Sequence, residues 1–446
     1  MRKLSGRKII NLFALLIVVT VLAGCTTTPE TSQPDSQNQE ITLQWWGVFL
    51  DESVVQPLLD DYHTLHPNIT VDYANRWPGG EWETGAALYQ SELNRVLKEN
   101  NPVVVPDIFM VDNSWAGNYE AYASSAPASV TDAATVAAAF YPAITSDFVN
   151  DTSVYGLPLW MDDLVILYNK SLLTAASVTS PPTNWVDFKS LAISLTKRDS
   201  GTITQAGFAA GVADNVTFGP ELLNVLFLQN GVAITNSLGD VIFSADTDSV
   251  TALDFYKSFS QSGGSWDASF ENDALAFMQG KLAMLLSTSW RYADILRFNE
   301  KYKLNLNIGV AALPQLQGQN PPVINWATYW GNMVALGRPN KTAAWEFLQW
   351  ITEPEQLRKL SQNVKSDRNF FGLLYPRQDM QQELASDQYL RTFNAGLPLA
   401  ESWDMIDGLA VRSEFNKLIA KTSISQSSIA DTENAIQRII SSKGQL

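Results

Sequence analysis

The sequence predicts an α/β protein of two or three folding units, on three observations. It has 446 residues, more than a single hydrophobic core usually organises. From Ile41 it reads strand, helix, strand: Ile41 to Gly47 alternates and turns, Val55, Leu58, Leu59, Tyr62 and Leu65 recur at helical spacing up to Pro67, and Ile69 to Tyr73 is again extended. Leu164 to Tyr168 is an apolar run with no polar alternation, the pattern of a strand buried on both faces of a parallel sheet.

Arg2, Lys3, Arg7 and Lys8 precede an apolar run from Ile9 to Leu22 that ends in Leu22-Ala23-Gly24-Cys25. A basic start, an apolar middle too short for the roughly 30 Å hydrocarbon layer and a small-residue end make residues 1–24 a secretory signal. Cys25 is the single cysteine, so no internal disulfide can form. Its place after Leu-Ala-Gly resembles the bacterial lipobox. That resemblance implies a diacylglycerol on the Cys25 sulfur and a further acyl chain on its freed amine, enough to anchor a lipoprotein to a membrane. Residues 25–40 are polar, contain two prolines and read as a disordered tether. Residues 1–24 carry four basic and no acidic side chains, so their removal takes the formal charge from −16 to −20. An acidic chain with no basic patch argues against nucleic acid as the partner.

Little catalytic chemistry is available. His63 and His66 are the only histidines, so neither a Ser-His-Asp nor a Cys-His site can be assembled away from that spot. As metal ligands the pair would need Asp60 or another partner; a solvated helix end is the simpler reading, and neither metal nor cofactor is expected. Asp112 with Asp162 or Asp163 would supply the two carboxylates a glycosidase needs, which leaves a surface glycoside-processing enzyme as a minor alternative to a binding protein.

Tyr155 to Leu173, YGLPLWMDDLVILYNKSLL, organises the rest. A Gly-Pro turn leads through Asp162 and Asp163 into the buried run, and Asn169 and Ser171 close it. Two adjacent carboxylates at the mouth of a buried strand face water or a polar ligand, because an unpaired buried charge costs roughly several kcal/mol. This block resembles the interlobe crossover of extracellular solute-binding proteins, the maltose-binding-protein-like class.

Further blocks resemble the same family in order. Trp45 and Trp46 end the first strand, where the family has its cleft, and strand geometry lets only one of them face it. Arg76 to Trp82 is a Pro-Gly-Gly loop between aromatics without a counterpart in the family, either a ligand rim or an ordinary turn. Glu83 to Lys98 is helical, and Pro106-Asp107-Ile108 opens a strand whose carboxyl end carries Asp112, Asn113 and Trp115. Ligands of open α/β sheets bind beyond such ends, so these three are site candidates, Asp112 and Asn113 equally as helix caps. Pro181 to Phe188 matches a family helix start, capped by Thr183 or Asn184, with Trp185 and Phe188 turned inward. Phe277 to Met284, followed by Ser289-Trp290, resembles the strand that returns the chain to the first lobe, with Trp290 on ligand or in interlobe packing. Ile324 to Leu336 resembles a second return crossing with Tyr329 and Trp330 at the cleft. Trp345 and Phe347, in a helix from Lys341, read as core, and Trp403 resembles a cleft aromatic of sugar-binding members.

The resemblance implies a periplasmic-binding-protein-like type II fold, two α/β lobes joined by a multi-strand hinge. Lobe 1 would comprise 41–157 and 287–330 and lobe 2 158–286 and 331–446, with crossings near Gly156, Leu286 and Trp330. It further implies a binder and no enzyme: an extracytoplasmic monomer that closes on a sugar or oligosaccharide and presents its closed form to the membrane subunits of an ABC importer. Trp45 or Trp46, Trp290, Trp330 and Trp403 would stack on sugar C–H faces, while Asp112, Asn113 and Asp162 or Asp163 exchange hydrogen bonds with hydroxyls. A peptide or other solute on the same fold is the alternative; the scarcity of Arg near these blocks argues against an anion.

Overall fold

The computed structural model describes residues 40–99, 101, 103–318 and 322–445. The expected signal, Cys25 and the tether up to residue 39 lie outside the described residues.

Two sheets organise the described chain. The first grows from β1 (Ile41–Gly47), α1 (Glu52–Leu65) and β2 (Ile69–Asn75), the strand-helix-strand unit expected from the periodicity. α2 (Trp82–Glu99) then leads to β3 (Ile108–Asp112), which lies parallel to β1 on its other side. β4 (Ala123–Ser124), α3 (Pro142–Phe148) and β5 (Gly156–Pro158) follow.

The second sheet begins with β6 (Val165–Asn169), buried at every residue. After it come α4 (Trp185–Leu195), whose N-terminal amides are capped by Asn184 accepting from Asp187 at 2.9 Å, then β7 (Lys197–Asp199), β8 (Thr202–Phe208) and α5 (Gly219–Gln229). β9 (Leu282–Ser287), α6 (Ser289–Tyr302) and β10 (Ile308–Ala312) complete a sheet of order β10-β6-β9-β8-β7. Both neighbours of β6 run antiparallel to it, so the apolar run reports burial on two faces and not the parallel setting expected.

β11 (Asn325–Trp326) precedes β12 (Trp330–Ala335), which lies in the first sheet, antiparallel to β3, β4 and β5. α7 (Lys341–Ile351) packs on β12 and α8 (Pro354–Arg368) on α1, with Trp345 and Phe347 fully buried. β13 (Ala400–Glu401) pairs with β11, after which α9 (Gly408–Ala420) packs on α5 and on α10 (Gln426–Ile440) in the second lobe.

Strand pairing moves two expected boundaries. β9 does not return the chain to the first lobe, because β10 after it pairs with β6; the second crossing lies between Ala312 and Trp330, not near Leu286. Beyond Trp330 the chain stays with the first sheet through α7 and α8, and the third passage lies between α8 and α9. A strand's apolar run encodes burial, whereas its sheet is chosen by long-range register, which local periodicity does not carry. The first crossing runs between Pro158 and Val165 and is bridged to the second, where Asp162 and Thr328 exchange backbone hydrogen bonds at 3.0 Å.

Candidate ligand site between the lobes

Buried carboxylates tie the crossings together. Asp162 accepts the Ser289 amide with both oxygens, at 3.0 and 2.9 Å, and the Ser289 hydroxyl at 2.6 Å. It therefore caps α6, whose first amides have no helical partner and whose dipole favours negative charge. Burial nevertheless pushes Asp162 up to about 6 against those donors. Asp163 Oδ2 accepts Asn325 Nδ2 at 2.7 Å, while Oδ1 has no partner among the described residues. Burial, with the Asp162 charge beside it, holds Asp163 well above the usual carboxylate range. Asp147, on α3, accepts from Asn113 Nδ2 at 3.0 Å, from the Tyr329 hydroxyl at 2.5 Å and from Ser402 Oγ at 2.7 Å. It joins the end of β3 to the second and third crossings, and burial pushes it up to about 7.

Aromatic rings gather where the first sheet's parallel strands end. Trp330, the register partner of Asp112, packs edge-on against Phe49, Tyr89 and Trp115, with ring centroids 5.4, 5.7 and 5.2 Å away. Trp77 stands 4.4 Å from Phe49 and 6.4 Å from Trp330, so the Pro-Gly-Gly loop gives a ring to this cluster. Phe49 has a φ of 66°, a left-handed conformation that a bulky residue keeps only where its surroundings enforce it. Asp112 caps the turn after β3, accepting the Ser114 amide at 3.1 Å and hydroxyl at 2.6 Å, and burial pushes it up to about 6. The Trp115 indole N–H is buried with no acceptor among the described residues.

The second lobe answers with Trp290, half-buried with its ring 6.3 Å from Phe218, and with Trp403, whose Nε1 donates to Asn224 at 3.0 Å. Arg291 lies 5.4 Å over the Phe218 ring and is paired with buried Asp273. Between the lobes stands Arg412 of α9. Its Nε donates to Glu83 at 2.8 Å, Nη1 to Glu221 and Nη2 to the Thr217 carbonyl, and its guanidinium is 5.8 Å from the Trp82 ring.

Of the sequence candidates, Asp112, Asn113, Trp115, Tyr329 and Trp330 thus meet at the β3–β12 end; Asp162 and Trp290 meet at the start of α6. Trp45 joins neither group. It is fully buried between Tyr73 and Phe347, at 4.7 and 5.5 Å, and its Nε1 donates to Asn332 at 2.9 Å. Its neighbour Trp46 points the opposite way, 4.4 Å beneath the Arg76 guanidinium in a groove with Glu92 and Arg95 of α2. His63 Nδ1 lies 2.8 Å from the Ile69 carbonyl, at the end of α1. Phe49, Trp77, Glu83, Glu221 and Arg412 were not among the candidates. An aromatic just past a parallel strand is a usable signal for the first two; nothing in the local sequence marks Arg412, whose partners are 329 and 191 residues away.

Two α/β lobes are thus tied at their crossings by buried carboxylates, with aromatic rings gathered at the strand ends of the first sheet. The chain belongs to the bacterial extracellular solute-binding proteins, whose family model matches residues 48–357. It is 25% identical over 236 residues to a putative binding protein of Brucella abortus (strain 2308), a match covering 50% of this chain and 53% of that protein. It is 20% identical over 322 residues to the maltotriose-binding protein of Pyrococcus abyssi, covering 69% of this chain and 61% of the relative. The chain spans about half the length of the first of these relatives. The crystal structure of the cyclic alpha-maltosyl-1,6-maltose binding protein from Arthrobacter globiformis is similar with a TM-score of 0.72 at 17% identity, over 90% of this chain and 99% of that one. The shared fold is the periplasmic-binding-protein-like type II fold that the sequence blocks imply. No described helix is long and apolar enough to cross a membrane.

Proposed function

We propose that this chain is the sugar-binding lipoprotein of an ABC importer, extracytoplasmic and monomeric, anchored through acylated Cys25, which closes on a neutral sugar or oligosaccharide and releases it unchanged to the transporter. The observation that carries this reading is the Trp330 cluster, in which several rings stand beside a buried indole N–H that has no acceptor among the described residues. Ring faces suit sugar C–H groups, and a few convergent polar groups fix orientation. The sugar-binding names of the similar proteins support the ligand class. In this reading Trp115, Trp290, Trp330, Trp403, Asp112 and Asn113 contact the solute. Asp162, Asp163 and Tyr329 position the crossings, and Trp45 supports the first sheet. Contacts from both lobes exist together only on closure, so ligand shifts the population that way.

A thermal-shift screen of the chain from Ile41 onward, against saccharides, amino acids and short peptides, tests the ligand class. Stabilisation that grows with the concentration of one sugar class is expected. Stabilisation by a peptide or an anion alone overturns the sugar, and consumption of the stabilising sugar overturns the binder. Replacing Trp290 and Trp403 together by Ala is expected to abolish sugar-dependent stabilisation; unchanged affinity removes them from the site. Cys25→Ser in the full chain is expected to move the protein from the membrane fraction to the soluble one.

A further inference from the structure

Arg412 joins the lobes at a point made of charge. Glu221, on α5, and the Thr217 carbonyl just before it belong to the second lobe with Arg412 itself, so they hold the guanidinium in place on their own side. Glu83, in the first turn of α2, is the carboxylate partner supplied by the first lobe. The Arg412 side chain is 10% exposed and that of Glu83 58%, so separating the lobes returns Glu83 to water and leaves Arg412 on Glu221. Trp82 adds a ring from the same helix turn, and cation–π contact strengthens as the site is desolvated. Two carboxylates, one from each lobe, thus flank one cation.

We propose that Glu83, Arg412 and Glu221 form an interlobe latch, a charge contact that draws the lobes together before any solute binds and makes the closed population depend on salt. This rests on the reading of the crossings as a hinge. Glu83 is the exposed end of the pair, so salt screens the contact in part, whereas an apolar interlobe contact is not screened. A neutral solute leaves the latch intact and gains from a population already biased toward closure. An anionic solute meets the carboxylates of Glu83 and Glu221 and competes for a guanidinium whose donors are taken.

Small-angle scattering of the ligand-free protein reads lobe separation without knowledge of the solute. Glu83→Gln removes the charge, keeps the shape and lies on an exposed helix turn. Gly408→Leu is the control: a Cβ there would stand 2.1 Å from Ser114 Oγ and 2.9 Å from Trp115 Nε1 of the first lobe, so a side chain wedges any hinged cleft open, latched or not. The measurement is made at about 20 mM and about 500 mM NaCl, either side of the roughly 10 Å screening length at 0.1 M. The wild type is expected to be compact at low salt and wider at high salt, E83Q wide at both, and G408L wide at both. E83Q that matches the wild type at both salts, while G408L widens, overturns the latch alone. If G408L also keeps the wild-type radius, the hinge reading falls and the latch with it.

Discussion

The Tyr329 hydroxyl donates to Asp147 Oδ2 at 2.5 Å. Ser402 donates to the same oxygen at 2.7 Å, so one carboxylate fastens two passages between the lobes. Burial holds Asp147 at about 7, against about 3.9 for an unfolded chain. With the folded value raised, its contribution is full below the unfolded value and is lost as pH rises through the folded one. Asp147→Asn keeps the shape without the charge. It is expected to flatten the melting temperature between about pH 4 and pH 7, leaving only the slope due to Asp112, Asp162 and their neighbours. At pH 8 it should melt higher than the wild type. A profile parallel to the wild type would clear Asp147 of that role.

Asp162 should behave as a cap. Asp162→Ala leaves the Ser289 amide without its acceptor at the start of α6, and loss of a cap costs about 0.5–2 kcal/mol. Urea unfolding measures the loss. An unchanged midpoint would mean that water replaces the carboxylate there without penalty.

Trp45 should matter to stability and not to ligand. Trp45→Phe keeps a ring against Tyr73 and Phe347 but leaves buried Asn332 Oδ1 without its donor, a cost of about 1–3 kcal/mol. Denaturation should register it, while affinity for the stabilising solute stays at the wild-type value. Weakened binding in a fully folded variant would return Trp45 to the site.

Arg291 and Asp273 form a buried pair, 7% and 1% exposed. Arg291→Met strands the carboxylate and is expected to destabilise by about 3–5 kcal/mol. Adding Asp273→Asn should recover much of the loss, because no charge is then left buried. A double variant as unstable as the single one would show that the loss comes from packing.

The local elements were legible because their causes are local. Val55, Leu58, Leu59 and Tyr62 do line the buried face of α1, Asn184 does cap its helix, and Trp185, Phe188, Trp345 and Phe347 are core. The family was legible through the order of its blocks. Lobe membership was not, since the pairing of β10 with β6 depends on residues about 140 positions apart in the chain, and no periodicity records it. Nothing local separates the two adjacent tryptophans of β1; the packing of Phe347 from a distant helix makes Trp45 the core one. The sequence leaves open whether Asp162 or Asp163 faces the cleft, since a buried charge needs partners; the partners of Asp162 are the amides of a helix that begins 127 residues later.

β12 lies between β3 and the short strands β4 and β5, with Trp330 opposite Asp112. The strands of the second sheet, from Val165 to Ala312, are one unbroken stretch of chain. During synthesis, then, the second sheet has all its strands before the first receives its central one, and β3 must wait with an unpaired edge while its partner is still being made. The half of the molecule that leaves the ribosome first is the half whose sheet is finished last.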